Sequence, residues 1–168
     1  MVIIVFFILR LKTAFWRRVA CFSEKIGVDA RKIISAGYAV HIYGGKKGGY
    51  NGGMGGAYIK PVYEKDDNIS SPIVDITNAL TVGFRYLQFG NNTPRTVTAN
   101  ITALENLTVN VRVDDYKGKV IASFKLNKGD KTASANLTSG VVGKHAIYFE
   151  FLSDSSNVIA EFDSFTFD

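Results

Sequence analysis

Apolar and polar residues alternate with a period of two through most of the chain after Tyr63. Residues 107–113 read LTVNVRV, with the apolar side chains on one parity and the polar ones on the other. Such alternation predicts a β-strand with one buried and one exposed face. Similar runs recur at short intervals and predict strands at 73–76, 81–89, 96–101, 107–113, 120–126 and 132–137.

Clusters of turn-forming residues separate these strands. They include Gly90-Asn91-Asn92 and the run DDYKG at 114–118. Glycine, asparagine and aspartate favour tight turns because they tolerate positive φ or hydrogen-bond their own backbone. No stretch after Tyr63 has a helical period. The fold class is therefore predicted as all-β, a sandwich or a barrel, and the alternation suits a β-sandwich of two stacked antiparallel sheets.

The last quarter of the chain predicts two further strands around a polar turn. In the first, Ile147, Phe149 and Phe151 share one parity, and the return strand ends with Phe165 and Phe167. The turn between them reads SDSSN. Because so many aromatic residues at a chain end need burial, we expect this pair to form a hairpin within one sheet and to close the core.

The first eleven residues, MVIIVFFILRL, are apolar except for Arg10. This run is too short for a transmembrane helix, which needs ~20 residues, so no membrane span is predicted. No basic residue precedes it, so it also lacks the features of a clean signal peptide. It is interpreted as a degenerate signal, a buried strand of a larger protein, or a frame that does not begin at the natural start; the last two are favoured.

Residues 44–56 read GGKKGGYNGGMGG. A glycine-rich loop can cradle phosphate when a helix follows it. Here Pro61 follows within an extended stretch, and no Gly-Lys-Ser/Thr occurs. The segment is therefore interpreted as a flexible linker. The predicted organisation is an N-terminal extension and linker at 1–56, followed by one domain at 57–168.

The formal net charge is +5, and much of the positive charge lies in the first fifty residues. A nucleic-acid-binding domain usually carries a basic face with interleaved aromatic residues. Since the predicted folded part is close to neutral, no nucleic-acid partner is expected. Cys21 is the single cysteine, which excludes an internal disulfide and cysteine-based metal sites. It leaves the redox compartment open.

Two carboxylates differ from the other acidic residues, most of which lie in turns. Glu161 and Asp163 lie in an otherwise apolar strand, spaced to project to one face. There they need a partner, a metal or solvent. A structural calcium ion is one solution and a hydrogen-bonded edge pair is the other. Side by side, they suit a metal better than an acid–base pair that straddles a glycosidic bond.

Three ordered motifs carry a resemblance to a known family. They are DITN at 75–78 followed by GFRYLQF at 83–89, GKHAIYF at 143–149, and FDSFTF at 162–167. Together they resemble the C-terminal β-sandwich module of glycoside hydrolase family 43 enzymes, the arabinofuranosidase and β-xylosidase type. That module is similar to carbohydrate-binding module family 6.

The resemblance implies a β-jelly roll without catalytic activity. In that family, the catalytic carboxylates lie on a separate β-propeller, which cannot fit before Ala57. The implied function is an accessory module that binds a polysaccharide or oligosaccharide, namely arabinoxylan, xylan or arabinan, beside the catalytic domain of a glycosidase. The alternative is a structural domain that packs on the propeller and binds no sugar. Action on plant polysaccharide implies a secreted or extracellular protein.

The resemblance also bears on the site residues. In related modules, the sugar cleft uses a loop aromatic and an asparagine where this chain has Asp75 and Glu161, and the closing aromatic is here Ser164. Because sugars stack on flat aromatic faces, the remaining candidates are tyrosines, although tyrosines on strands are more often core or rim residues. Asp163 matches a family position associated with structural calcium. The candidate sugar-binding residues are Tyr58, Tyr63, Tyr86 and Tyr116.

Overall fold

The computed structural model describes residues 27–45, 56–63 and 69–168. Within these ranges the regular structure is almost entirely strand, with one 3₁₀ turn at Ala36–Tyr38. The strands are β1 Val28–Asp29, β2 Ile34–Ser35, β3 His41–Gly44, β4 Tyr58–Ile59, β5 Val62–Tyr63, β6 Ile69–Ser70, β7 Ile73–Thr77, β8 Leu80–Gly90, β9 Thr96–Ala103, β10 Leu107–Val113, β11 Val120–Leu126, β12 Thr132–Asn136, β13 Gly143–Leu152 and β14 Val158–Phe167.

The strands form two six-stranded sheets. The first sheet has the order β1-β8-β13-β10-β11, with β3 also pairing with β8. The second sheet has the order β12-β9-β14-β7-β4, with β2 also pairing with β14. A separate two-stranded sheet joins β5 to β6. Apart from the short parallel pair of β1 with β8, the pairings are antiparallel.

The alternation in the sequence corresponds to the two faces of these strands. In β10, Leu107, Val109 and Val111 are buried, as the period of two predicts. The eight predicted strands after Tyr63 are all present, within a few residues of their predicted ends. The all-β sandwich of two antiparallel sheets is therefore confirmed for the described residues.

The predicted C-terminal hairpin is wrong in its pairing. Both strands form, but β13 lies in the first sheet between β8 and β10, whereas β14 lies in the second sheet between β9 and β7. The connection at 153–157 therefore crosses from one layer to the other. Local alternation defines each strand, but it does not specify which strand is its neighbour.

The core explains why these two strands separate. Phe149 of β13 faces Phe162 and Phe165 of β14, with ring centroids 5.0 and 4.8 Å apart. All three rings are buried. Two strands that each carry an aromatic face can bury both faces by placing them in opposing layers, because the inner faces of a sandwich then interdigitate. The chain end thus closes the core by bridging the two sheets.

The N-terminal part of the described chain belongs to the sandwich. β3 pairs with β8 over four residues, with His41 opposite Gly83, and β2 pairs with the end of β14. The side chain of Ile34 is buried in the core. The folded unit thus begins before the predicted boundary at residue 57. The apolar run at 1–11 and the glycine-rich residues 46–55 lie outside the described residues.

No helix in the described ranges has the length and apolar composition needed to cross a bilayer.

Candidate functional site

One row of residues crosses the outward side of the first sheet. His41 in β3, Gly83 in β8 and Tyr148 in β13 lie opposite one another. A Cβ atom at position 83 would lie 2.6 Å from Cε1 of Tyr148 and 3.0 Å from Cβ of His41. Glycine at this position therefore leaves the space that the edge of the Tyr148 ring occupies beside the histidine.

Tyr116 comes from the loop between β10 and β11 and completes an aromatic group. Its ring stacks on His41 at 6.3 Å with an interplanar angle of 26°, while the Tyr148 ring meets His41 edge-on at 5.8 Å. The Tyr43 ring also lies near His41, with ring centroids 5.8 Å apart and an interplanar angle of 42°. Tyr148 is only 3% exposed, but Tyr43 and Tyr116 remain 47% and 41% exposed. We call the outward surface of the first sheet around His41, Tyr43, Tyr116 and Tyr148 the aromatic face.

Two anchors hold the loop that carries Tyr116. The Asp114 backbone N–H donates to the Ala146 carbonyl, and both Asp114 carboxylate oxygens lie 2.9 Å from Nδ1 of His145. At the other end of the loop, Nη1 of Arg112 donates to the Gly118 carbonyl at 2.8 Å. Because the loop is fixed at both ends, the ring of Tyr116 is preorganised before any ligand arrives.

A carboxylate lies in the next row of the same face. Oε2 of Glu150 accepts from Nε and Nη2 of Arg112, at 3.1 and 2.7 Å, and from Nδ2 of Asn110 at 3.1 Å. Within the described residues, Oε1 of Glu150 has no hydrogen-bond donor. The side chain is thus held rigidly while one oxygen remains available to accept a hydrogen bond from a ligand hydroxyl.

Two cations lie beside the aromatic group, and we call Arg85 and Lys144 the basic pair. Nη2 of Arg85 donates to the Tyr148 hydroxyl at 3.1 Å. Nζ of Lys144 lies 5.2 Å from the ring centroid of Tyr86, which is 49% exposed. Burial, and secondarily the Arg85 charge, lower the pKa of His41 below 6.5. The histidine is therefore mainly neutral at pH 7 and offers a ring surface rather than a charge.

The predicted tyrosines do not form one cluster. Tyr116 lies within the aromatic face and Tyr86 beside the basic pair, whereas Tyr58 lies in β4 at the edge of the second sheet. The side chain of Tyr63 lies outside the described residues. The role of all four in binding stays a prediction.

Sequence reasoning missed several residues that the fold brings together. The one sequence signal for Tyr43 is its alternation with His41 in the short segment HIYG, for which the pattern predicts no strand. Tyr148 and Glu150 alternate with the buried residues of β13 and therefore lie on its outward face. This alternation is the sequence signal that could have identified them. The residues missed were His41, Tyr43, Arg85, Tyr148 and Glu150.

Glu161 and Asp163 are both half-buried in β14. Burial and the neighbouring Glu161 carboxylate raise the pKa of Asp163. A bulge between Phe162 and Ser164 interrupts the regular alternation at this point. Two carboxylates supply too few oxygens for calcium, which takes six to eight. No group of three or more His, Cys, Asp or Glu side chains able to hold a metal occurs in the described ranges.

A groove of about 650 Å³ opens at one end of the first sheet. Its lining includes Asn78, Asn106, Asn127 and Asp154, without an aromatic ring. Such a groove can hydrogen-bond a polar ligand but offers no flat apolar surface for a sugar ring. The aromatic face is therefore the better candidate site.

No protein-family model and no curated protein matches this sequence. Solved structures do match. A β-1,3-glucan-binding family 6 carbohydrate-binding module from Bacillus halodurans has a TM-score of 0.66 at 13% identity, covering 84% of this chain and 98% of that chain. A family 6 module from Clostridium cellulolyticum, solved with xylose, has a TM-score of 0.62 at 20% identity, covering 83% and 98%.

A longer protein also matches. It is a family 43 arabinoxylan arabinofuranohydrolase from Bacillus subtilis, solved with cellotetraose, with a TM-score of 0.59 at 16% identity. The alignment covers 84% of this chain but 28% of that enzyme. With TM-scores above 0.6 and near-complete coverage of isolated modules, this chain has the fold of the family 6 carbohydrate-binding modules.

Proposed function

We propose that this chain is a non-catalytic carbohydrate-binding module that holds its glycan on the aromatic face. The observation that carries the proposal is the pair of exposed rings, Tyr43 and Tyr116, which both contact His41, with the Glu150 carboxylate on the same side of the sheet. A pyranose ring has an apolar C–H face that stacks on tyrosine and a rim of hydroxyls that hydrogen-bonds to fixed acceptors.

The finer proposal is that the ligand belongs to the plant polysaccharides arabinoxylan, xylan and arabinan. The resemblance of the three sequence motifs to family 43 accessory modules supports this choice. The match to part of a family 43 enzyme supports a catalytic domain of a glycosidase as a partner in a longer protein. In such a protein, the module would hold the enzyme near its polymer and raise the effective substrate concentration.

The test is affinity gel electrophoresis of the folded protein in gels containing each of the three polymers. We expect retardation by at least one polymer and loss of retardation in Tyr116→Ala, with Tyr38→Ala as control. Tyr38 is a 70% exposed tyrosine outside the aromatic face. Removing one stacking ring typically weakens sugar binding by about 1–2 kcal/mol, or roughly five- to thirtyfold in Kd.

The second candidate is a structural domain that packs on a family 43 propeller without binding sugar. The replacement of cleft residues by Asp75, Glu161 and Ser164 favours it, and Asp75 is exposed with φ of 58°. The same gels separate the two candidates. A folded sample that migrates identically with and without all polymers would support the structural role and count against the binding proposal.

Calcium at Glu161 and Asp163 is a further part of the proposal. Its support is the raised pKa of Asp163, because a cation would relieve the repulsion between two neighbouring half-buried carboxylates. Additional oxygen ligands would have to come from elsewhere. We expect millimolar calcium to raise the Tm of the wild type and to leave Asp163→Asn unchanged. An equal shift, or no shift, in both proteins would contradict calcium binding at this position.

A further inference from the structure

The acidic groups on the aromatic face are engaged by the protein itself. Glu150 is held by Arg112, and Asp114 is held by His145. The nearby Asp115 carboxylate accepts from the backbone N–H of Lys117 at 2.7 Å. The Glu150 carboxylate is therefore partly neutralised by Arg112, and the Asp114 carboxylate is engaged by the His145 ring.

The cations on this face are not matched in the same way. In the described ranges, Arg85, Lys117 and Lys144 form no ion pair with a carboxylate. Each contacts a tyrosine instead: Arg85 the hydroxyl of Tyr148, Lys117 the ring of Tyr116, and Lys144 the ring of Tyr86. A cation over a tyrosine ring keeps its charge and remains available to an anion.

Arg85 is the best placed of the three. Its hydrogen bond to Tyr148 uses one of the five N–H donors of the guanidinium, which leaves a fork free for a planar, two-oxygen anion. The same bond places the guanidinium at the hydroxyl of Tyr148, and its charge acts on His41, so Arg85 borders the aromatic face. A ligand stacked on the exposed tyrosines would thus have a cation within reach of its rim.

We propose that the aromatic face selects a glycan that carries carboxylate groups, a uronate-bearing polysaccharide, and that Arg85 is the specificity-determining residue. This inference rests on the proposed function. The uronate ring stacks on tyrosine like a neutral sugar, and its carboxylate takes the free donors of Arg85 as a bidentate, charge-assisted pair. Lys144 adds a second positive charge farther along β13, over the ring of Tyr86.

The charge distribution separates this proposal from general attraction to polyanions. The described ranges carry nearly equal numbers of acidic and basic side chains. Unpaired acids lie on the second sheet, where Glu161 and Asp163 are neighbours. A polyanion attracted by net charge would gain little from such a surface. A local carboxylate contact at the aromatic face does not need a net charge.

The experiment compares two forms of one polymer, glucuronoxylan and the same glucuronoxylan after reduction of its carboxyl groups to neutral hydroxymethyl groups. Binding is measured by affinity gel electrophoresis and titration calorimetry at physiological salt. We expect the acidic polymer to bind about fivefold more tightly, as for an exposed ion pair, and Arg85→Gln to remove that preference while still binding the reduced polymer.

Arg95→Gln is the matched control, because Arg95 is an exposed arginine at the start of β9 in the other sheet. Equal binding of both polymers by the wild type would overturn the inference and leave the proposed function standing. Two results would overturn it in favour of general polyanion binding. One is loss of the preference for the acidic polymer in Arg95→Gln as well as in Arg85→Gln. The other is binding of single-stranded DNA as tightly as the acidic polymer. Binding of neither polymer would overturn the inference and also contradict the proposed function for this ligand class.

Discussion

Gly83 and Tyr148 occupy one site together: the tyrosine ring fills the space in which any other residue at position 83 would place its Cβ. The gap from the ideal Cβ position to Cε1 of Tyr148 is 2.6 Å, well inside van der Waals contact. The two residues lie opposite each other on β8 and β13. The aromatic face therefore depends on the absence of a side chain at position 83.

Gly83→Ala is expected to destabilise the protein by about 1–3 kcal/mol, the usual cost of overpacking a close contact. The measurement is chemical denaturation of Gly83→Ala, Tyr148→Ala and the double variant. Because the alanine methyl clashes with the ring, its cost should fall when the ring is absent, which a double-mutant cycle detects as coupling. Additive costs would show that the clash is relieved elsewhere.

Glu150→Gln should lower the free energy of unfolding by about 1–2 kcal/mol. The residue forms charge-assisted bonds to Arg112 with both side chains only 20–23% exposed, so solvent screens them weakly. Glu105→Gln is the control, since its ion pair with Lys128 is 3.7 Å long and largely exposed on the lysine side. Such surface pairs contribute about 0–1 kcal/mol. An equal effect of both substitutions would contradict this ranking.

His41 should titrate below 6.5 in the folded protein, and NMR of its ring protons measures this directly. Burial is the main cause and the Arg85 charge the second. Since the folded pKa lies below the unfolded value, the unfolded state binds more protons in that window, so stability falls as the pH drops from about 6.5 through the folded pKa. Arg85→Gln should move the His41 pKa upward, whereas Arg95→Gln should leave it unchanged. No upward movement would contradict the electrostatic contribution of Arg85.

Asp163→Asn should raise the Tm at pH 7 by about 2 °C in calcium-free buffer. Burial and Glu161 raise the pKa of Asp163, so the charged form is less favourable in the folded state than in the unfolded chain. The contribution of Asp163 to stability is therefore opposite in sign to that of a paired aspartate. Its carboxyl group destabilises the folded state increasingly as the pH rises through its unfolded and then its folded pKa. The gain from asparagine should vanish at low pH.

The control is Asp154→Asn, an exposed carboxylate in the loop between β13 and β14. It should leave the Tm nearly unchanged at both pH values. A decrease in the Tm of Asp163→Asn at pH 7 would indicate that the ionised carboxylate has a stabilising partner, contrary to the charge repulsion described above.

The alternation of apolar and polar residues was sufficient to predict the strands and their faces. The alternation in β10 and the aromatic parity of β13 are local properties, because a side chain in a strand points to the side opposite its neighbours. Burial of every second residue then requires a second layer or a closed barrel, so the pattern predicts an all-β sandwich or barrel. The turn residues between the strands mark where each one ends.

The order of the strands in each sheet could be read only from the tertiary structure. The placement of β13 and β14 in different sheets, and of β3 beside β8, depends on pairings between residues that are distant in the chain. The aromatic face follows from these pairings, since His41, Tyr116 and Tyr148 come from separate segments. A period of two shows that a side chain points outward, but only strand order and register place it beside another.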